Sequence, residues 1–109
     1  MKKDNIVKKN YDINKIISQR NMIKNKYFYI YKGKNIYNNH RFAICVSTKL
    51  GNAVRRNKLK RQIKDIIDKS NLLFKSSTDY VIILKKEINE LNYEQMKNSL
   101  IDLISKILD

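Results

Sequence analysis

The positive charge of this chain is concentrated in its first part. Residues 1–64 contain 18 Lys or Arg and two acids, a net +16, whereas residues 65–109 contain six and eight, a net −2. The sign changes inside one predicted helix, so we predict a single domain over residues 1–109 with one very basic flank. Because such charge opposes compaction unless a polyanion lies beside it, the candidate partners are nucleic acid, an anionic membrane or an acidic protein. Nucleic acid is favoured, since no long basic amphipathic helix with bulky anchors stands out.

Other classes of protein are excluded by what the sequence lacks. The longest apolar runs are about five residues, far below the roughly 20 of a membrane-spanning helix, and no signal-peptide stretch follows the basic amino terminus. We therefore expect a cytoplasmic protein with no membrane partner. The single cysteine, Cys45, excludes a disulfide within the chain and is expected to be a small packing residue. The only histidine, His40, is expected to be solvated in a polar loop, and the scattered acids predict no catalytic residues, no metal ligands and no small-molecule substrate.

Alternation and apolar runs predict three strands. Residues 26–32 and 41–48 alternate as strands do, and the polar stretch 33–40 between them predicts a hairpin. The nearly continuous apolar run 79–85 predicts a strand that is covered on both faces or lies centrally.

Apolar stripes and capping residues predict three helices. Asp12 can cap a short first helix, and Asn52 suits the cap of a helix that runs to about Ser70. Asn92 and Gln95 form a variant of the capping box before the last helix. The order αββαβα predicts an α+β fold, a two-layer sandwich with the long helices on one side of the sheet.

The segment 49–64 carries the strongest functional signal, because it holds seven cations and no acid. Helical periodicity places its cations broadly opposite the apolar stripe, and the helix start adds N–H donors that favour phosphate. We predict nucleic-acid contacts here, against the alternative of an ordinary solvated basic face. The predicted contact residues are Lys49, Arg55, Arg56, Asn57, Lys58, Lys60, Arg61 and Lys64.

A second feature is the tyrosine-bearing face of the first strand. Tyr27, Tyr29 and Tyr31 alternate along it, and if this strand pairs with the next one they lie beside the small residues Ala43, Cys45 and Ser47. Such rings could leave a groove in which unpaired bases stack, or they could pack under the first helix. The residues alone leave both readings open.

The stretch Ser47–Arg61, STKLGNAVRRNKLKR, resembles the hallmark of the protein subunit of bacterial ribonuclease P. That hallmark is a lysine, then Gly-Asn-Ala-Val, then Arg-Asn-basic-aliphatic-Lys-Arg. The resemblance covers nearly the whole chain, since Val7–Ile17 is similar to the family's first helix and Asp79–Lys86 to its last strand.

This resemblance implies a fold like that of ribosomal protein S5 or ferredoxin, with a left-handed βαβ crossover that departs from the usual rule. It also implies a ribonucleoprotein in which a large catalytic RNA with bound Mg²⁺ removes the 5′ leader from precursor tRNA. The protein subunit is implied to hold that RNA, to bind the single-stranded leader, and to raise the affinity for precursor tRNA and metal ions.

Position by position, the resemblance assigns to the RNA the following residues of the basic helix: Arg56, Asn57, Lys58, Lys60, Arg61 and Lys64. It assigns Ile13, Ile17 and Tyr31 to the leader cleft, and we include Tyr29 and Ser47 there. Ile13 and Ile17 stand where the family usually has phenylalanines, so stacking is expected to depend more on the tyrosines.

Three further positions depart from the family pattern. Lys58 replaces a usual arginine, Thr48 replaces a common lysine, and Arg20 stands near a usual glycine. A ribosomal or ribosome-assembly protein that binds RNA without a catalytic role is the alternative from another class. An autonomous nuclease is disfavoured, because no acid cluster could hold catalytic metal ions.

Overall fold

The computed structural model describes residues 1–7 and 10–108. Lys8 and Lys9, which lie inside the stretch matched to the family's first helix, and Asp109 lie outside the described residues. The elements follow in the order α1 (Asn10–Ser18), β1 (Met22–Lys24), β2 (Phe28–Lys34), β3 (Arg41–Cys45), α2 (Ala53–Lys69), β4 (Thr78–Leu84) and α3 (Tyr93–Leu108). Short 3₁₀ turns occupy Lys3–Asn5, Thr48–Leu50 and Lys86–Glu90. The predicted α+β class is confirmed.

The four strands form one sheet in the order β1-β2-β4-β3. Strand β4 pairs antiparallel with β2 and parallel with β3, so β2 and β3 are not neighbours. The predicted hairpin between them is therefore wrong. The physical reason is the composition of β4: all but one of its side chains are buried, and a strand that is apolar on both faces is best covered in the interior of a sheet.

The hairpin of this sheet joins β1 to β2 instead. Strand β1 has only three residues and pairs antiparallel with β2, with Met22 opposite Tyr31. The turn is closed by Asn25, whose Oδ1 accepts hydrogen bonds from the backbone N–H groups of Tyr27 and Phe28 at 2.8 and 2.9 Å. Periodicity missed β1 because three residues are too few to show an alternation.

One face of the sheet is completely filled. Phe28, Ile30 and Ile82 project from it and are fully buried. Helices α2 and α3 cover them with the side chains of Leu59 and Leu100, which are also fully buried. This confirms that the two long helices pack on one side of the sheet.

The other face is covered by α1 and by the amino-terminal segment. Ile16 of α1 is buried together with Ala43 of β3 and Val81 of β4, and Val7 of the amino-terminal segment joins them. Around this small cluster the side chains are only partly buried. These partly buried residues are Ile13, Ile17, Tyr31, Cys45 and Ile83.

The predicted caps of the long helices are confirmed. Asn52 Oδ1 accepts from the N–H of Arg55 at 2.9 Å. Asn92 and Gln95 form the reciprocal capping box, with distances of 2.9 and 3.0 Å. Asp12, by contrast, lies within the first turn of α1 and is not its cap, although its charge there still favours the helix dipole.

Helix α2 connects the parallel strands β3 and β4, so the βαβ unit of the implied fold is present. Its left-handed sense stays a prediction.

The expectation that His40 is solvated is wrong, because its ring is half-buried. The centroid of the ring lies 5.6 Å from that of Phe42 and 5.4 Å from that of Phe74, and burial lowers the pKa of His40.

Candidate nucleic-acid interface

The basic segment begins with a tight turn that leads from β3 into α2. Ser47 Oγ accepts from the N–H of Lys49 at 3.2 Å, and the buried side chain of Leu50 holds the 3₁₀ turn against the core. Gly51 follows with φ +150°, a backbone conformation that favours glycine. A Cβ there would lie 2.9 Å from Cγ of Arg55. The Gly-Asn pair is thus required by the turn that orients the helix start.

The cations of α2 emerge on two sides of the helix. An open groove of about 490 Å³ runs along one side and is lined by Val54, Asn57, Lys60, Arg61 and Lys64. Lys58 is exposed outside this groove, and Lys49 is exposed on the preceding turn. Among the described residues, no carboxylate lies within 4 Å of the charged groups of these lysines or of Arg61. The surface therefore presents positive charge that is not neutralised within the described chain.

Arg55 has a different environment from the other predicted contact residues. Its Nε and one terminal nitrogen donate to Asn89 Oδ1 at 3.2 and 3.0 Å, and Asn89 Nδ2 donates to the carbonyl of Leu50 at 3.1 Å. Asn89 thus ties the 3₁₀ turn to the start of α2. Sequence reasoning missed this residue, because one asparagine in an asparagine-rich chain carries no signal.

Arg56 is half-buried at the edge of the core. Its Nε is buried and has no hydrogen-bond partner among the described residues. A buried guanidinium nitrogen without a partner is costly, so an acceptor supplied by a bound molecule would relieve that cost.

The predicted leader cleft lies on the face that α1 covers. Ile13 and Ile17 of α1 and Tyr31 of β2 all pack against the same small buried cluster. The register places Tyr31 in one cross-strand row with Val81 and Ala43. The next row consists of Tyr29, Ile83 and Cys45. Tyr29 is partly buried, and Lys85 Nζ lies 4.3 Å from the centroid of its ring.

Three expectations about the tyrosine face and the cleft need correction. Strand β4 lies between the tyrosines and the small residues, so Val81 and Ile83 separate Tyr31 and Tyr29 from Ala43 and Cys45. Tyr27 precedes β2 and packs against the filled core on the other face. Ser47 is exposed beyond the end of β3, where its hydroxyl belongs to the turn into α2.

A single groove connects the basic helix with the cleft. It has a volume of about 270 Å³ and includes Ile13 of α1, Ala43 of β3, and Lys60 and Lys64 of α2 in its lining. Burial raises the pKa of the Cys45 thiol, and the nearby charge of Lys60 opposes that rise. The thiol is therefore protonated at neutral pH, as expected for a packing residue. Lys60 and Lys64 border both surfaces that the sequence singled out separately.

The described residues contain no group of three or more His, Cys, Asp or Glu side chains that could hold a metal ion. No helix in the described part of the chain has the length and apolar character that crossing a membrane requires. An α+β fold with a basic helix beside a half-covered, tyrosine-bearing sheet face has the features expected of a protein that binds nucleic acid.

Comparison with known proteins identifies the family within that class. The model of the Ribonuclease P family matches residues 1–108. The chain is 39% identical over 108 residues to the ribonuclease P protein component of Mycoplasma mycoides, covering 98% of this chain and 99% of that protein. It is 35% identical over 104 residues to that of Streptococcus pneumoniae, covering 95% and 85%. The chain belongs to the ribonuclease P protein family.

Solved structures agree with this assignment. The Staphylococcus aureus RNase P protein superposes with a TM-score of 0.83 at 33% identity, covering 96% of this chain and 98% of that one. The Thermotoga maritima protein gives 0.82 at 27% identity, covering 92% and 94%. The resemblance read from the sequence is confirmed, and the chain is a protein component of the tRNA-processing ribonucleoprotein, which implies an RNA partner.

Proposed function

We propose that this chain binds two RNA surfaces at once: the catalytic RNase P RNA on α2, and the single-stranded 5′ leader of precursor tRNA in the cleft under α1. The holoenzyme would then cleave precursor tRNA to its mature 5′ end, with the chemistry performed by the RNA. The observation that carries this proposal is the groove that Ile13, Lys60 and Lys64 line together.

The basic helix suits a structured RNA. Lys58 and Arg61 are exposed, and Leu59 and Ile63 hold the helix rigidly against the core, so the cations are presented in a fixed arrangement. Phosphate contacts of this kind provide affinity and orientation without reading sequence. The partnerless Nε of Arg56 offers a directed hydrogen bond in addition to charge.

The cleft suits an unpaired strand. Tyr31 and Tyr29 lie in adjacent rows and are both partly exposed, so their rings are accessible to bases. Stacking of this type is worth about 1–3 kcal/mol per base and tolerates different sequences. Precursor tRNA carries a leader and mature tRNA does not, so a leader contact favours binding of the precursor over the product.

For Mg²⁺, the described residues offer no cluster of ligands. We therefore assign the metal ions mainly to the RNA, and the contribution of the protein is to neutralise phosphates near them. The proposed role of the chain is binding and positioning.

The first experiment tests the RNA-binding helix. Adding the protein to RNase P RNA at low Mg²⁺ is expected to raise the cleavage of precursor tRNA. Arg61→Ala should weaken binding of that RNA and reduce the slope of log affinity against log salt by about one unit. Lys75→Ala, which removes an exposed charge from the loop before β4, is the control and should leave the slope unchanged. An unchanged slope in Arg61→Ala, or cleavage by the protein alone, would contradict the proposal.

The second experiment tests the cleft. Tyr31→Ala is expected to lower the affinity of the holoenzyme for precursor tRNA by about tenfold while leaving that for mature tRNA nearly intact, because only the precursor has a leader to stack. Tyr31→Phe keeps the ring and should behave like the wild type. Equal losses for the two tRNAs would show that Tyr31 serves the core only.

A further inference from the structure

A further polar cavity borders the groove beside the cleft, with which it shares Ile6 in its lining. It has a volume of about 700 Å³ and is formed by the amino-terminal segment, the first turn of α1 and the loop between β2 and β3. Arg41, at the start of β3, lies in the register row of Asp79, and Tyr31 of the cleft lies in the row of Val81. Two residues along β4 separate these rows, which corresponds to about 7 Å.

An aromatic ring is presented at this cavity. Tyr37 is 47% exposed, and the guanidinium carbon of Arg41 lies 4.5 Å from the centroid of its ring. Arg41 itself is fixed by Asp79, to which its Nε and one terminal nitrogen donate at 2.8 and 2.7 Å. The side chains of this ion pair are 13% and 4% exposed, so the support behind the ring is rigid.

The loop that carries Tyr37 is also held in place. The N–H of Tyr37 donates to Asn35 Oδ1 at 2.8 Å, and Asn35 Nδ2 donates to Asp79 Oδ1 at 2.7 Å. The N–H of Asn35 donates to the carbonyl of Ser77 at 2.8 Å, and Ser77 Oγ donates to the carbonyl of Tyr37. A ring held in this way loses little conformational entropy when a ligand stacks on it.

Charges and amides surround the ring on two sides. Lys2, Lys3 and Asn38 line the cavity, and a smaller cavity of about 140 Å³ beside Tyr37 is lined by Lys15 and Lys34. Asp4 and Asp12 also line the larger cavity and offset part of this charge. These acids would repel a ligand that consists mainly of phosphate groups. A ligand with a flat ring, hydrogen-bonding edges and few phosphates fits better.

We propose that Tyr37 is a second stacking position for an unpaired RNA nucleotide, whose base lies on the ring supported by Arg41 and whose phosphates face the surrounding lysines. The inference rests on the proposed function in one respect, that the ligand is RNA. The nucleotide comes either from a part of the leader beyond the cleft or from an unpaired region of RNase P RNA.

The test uses the reconstituted holoenzyme with Tyr37→Ala, Tyr37→Phe and, as a control, Leu73→Ala, which truncates a side chain that is 91% exposed outside both cavities. One arm measures affinity for precursor tRNA with a leader that ends inside the cleft and with a longer leader. The other arm measures affinity of the protein for RNase P RNA. Urea unfolding of each variant checks that the fold is kept.

Tyr37→Ala is expected to lower affinity by about fivefold to a hundredfold in one arm, and Tyr37→Phe to keep it. A loss confined to the long leader identifies the leader as the source, and a loss in the second arm identifies RNase P RNA. Photocrosslinking of 5-iodouridine in the corresponding RNA to wild-type Tyr37 is then expected, and it bypasses any folding defect of the variants.

The inference is overturned if Tyr37→Ala matches Leu73→Ala in both arms, if Tyr37→Phe loses as much as Tyr37→Ala, or if no crosslink forms at Tyr37. A protein partner would give the first of these outcomes. Failure of the proposed function is distinguishable, because Arg61→Ala and Tyr31→Ala would then also leave RNA binding unchanged.

Discussion

The two faces of the sheet differ in how completely they are covered. On one face, two long helices bury Phe28, Ile30 and Ile82 completely. On the other, the nine residues of α1 cover part of a four-stranded sheet and leave Ile17 and Tyr31 half-buried. The filled face therefore supplies most of the stability, and the half-covered face keeps apolar and aromatic surface available for a ligand.

Helix α2 packs on the filled face and borders the groove beside the other face. Its Leu59 and Ile63 are fully buried in the filled core, while its Lys60 and Lys64 reach the groove beside Ile13. A helix anchored in the rigid core can thus place its cations beside the cleft without being part of it. The rigidity of one face thus positions the candidate binding residues beside the other.

The largest expected effect separates the two faces by stability. Leu59→Ala, in the filled core, should lower the free energy of unfolding by about 2–5 kcal/mol, because it leaves a cavity. Ile17→Ala, on the half-covered face, should lower it by only about 1 kcal/mol, since its surface is partly in water already. Urea unfolding measures both. Ile17→Ala should instead weaken binding of precursor tRNA, and equal losses of stability would contradict the division between the faces.

The next effect concerns the turn at Gly51 that leads from β3 into α2. Gly51→Ala combines a positive φ with a Cβ only 2.9 Å from Arg55 Cγ, so it should cost about 1–3 kcal/mol and weaken binding of RNase P RNA. Gly33→Ala is the matched control, because its Cβ would meet Oε1 of Gln19, the far end of an exposed side chain that can move. A Gly33→Ala variant as unstable as Gly51→Ala would show that α1 is packed more tightly than its exposure indicates.

A smaller effect, a gain in stability, is expected just after α1 on the half-covered face. Arg20, just after α1, has φ +57°, a backbone conformation that favours glycine. Arg20→Gly should raise the free energy of unfolding by about 0.5–1 kcal/mol, because glycine adopts this conformation without a steric penalty. Asn71 has the same φ, but asparagine tolerates it, so Asn71→Gly should gain less. Thermal or urea unfolding of the two variants decides this, and an equal gain would count against the explanation.

The smallest effect is a pH dependence of the filled face. Burial against Phe42 and Phe74 lowers the pKa of His40 below its ordinary value of 6.5. The neutral ring thus contributes stability that is present above pH 6.5 and is lost as the pH falls through the lower folded pKa. His40→Phe should flatten the unfolding free energy between about pH 8 and pH 5. The same slope in wild type and variant would mean that other groups cause it.

Local patterns predicted the elements whose signals are contained within a few residues. The capping box at Asn92 and Gln95, the cap at Asn52 and the buried stripe through Leu59 and Ile63 all follow from helical spacing, and all are confirmed. The predicted hairpin between β2 and β3 was wrong because strand pairing is not local. The apolar run of β4 indicated a strand covered on both faces or lying centrally, and the structure places it between β2 and β3.

The candidate site was predictable to the extent that it lies in one segment. The basic helix was predicted directly from its own segment of sequence. Asn89, which anchors the first turn of that helix, could not be predicted because it comes from a distant part of the chain. Tyr37 could not be predicted either. It becomes a candidate stacking residue only through the contact of its ring with Arg41, the ion pair of Arg41 with Asp79, and the hydrogen bonds that hold its loop.

The sequence by itself determined the charge division, the helix periods and the motif Ser47–Arg61, because each is a property of neighbouring residues. Only the tertiary structure decided that β4 separates the tyrosines from the small residues, that α1 covers half a face, and that Lys60 and Lys64 border the cleft. The physical reason is that burial is settled by the whole molecule. How far each strand and helix is buried depends on which other elements pack over it, and the residues that are only partly covered form the candidate site.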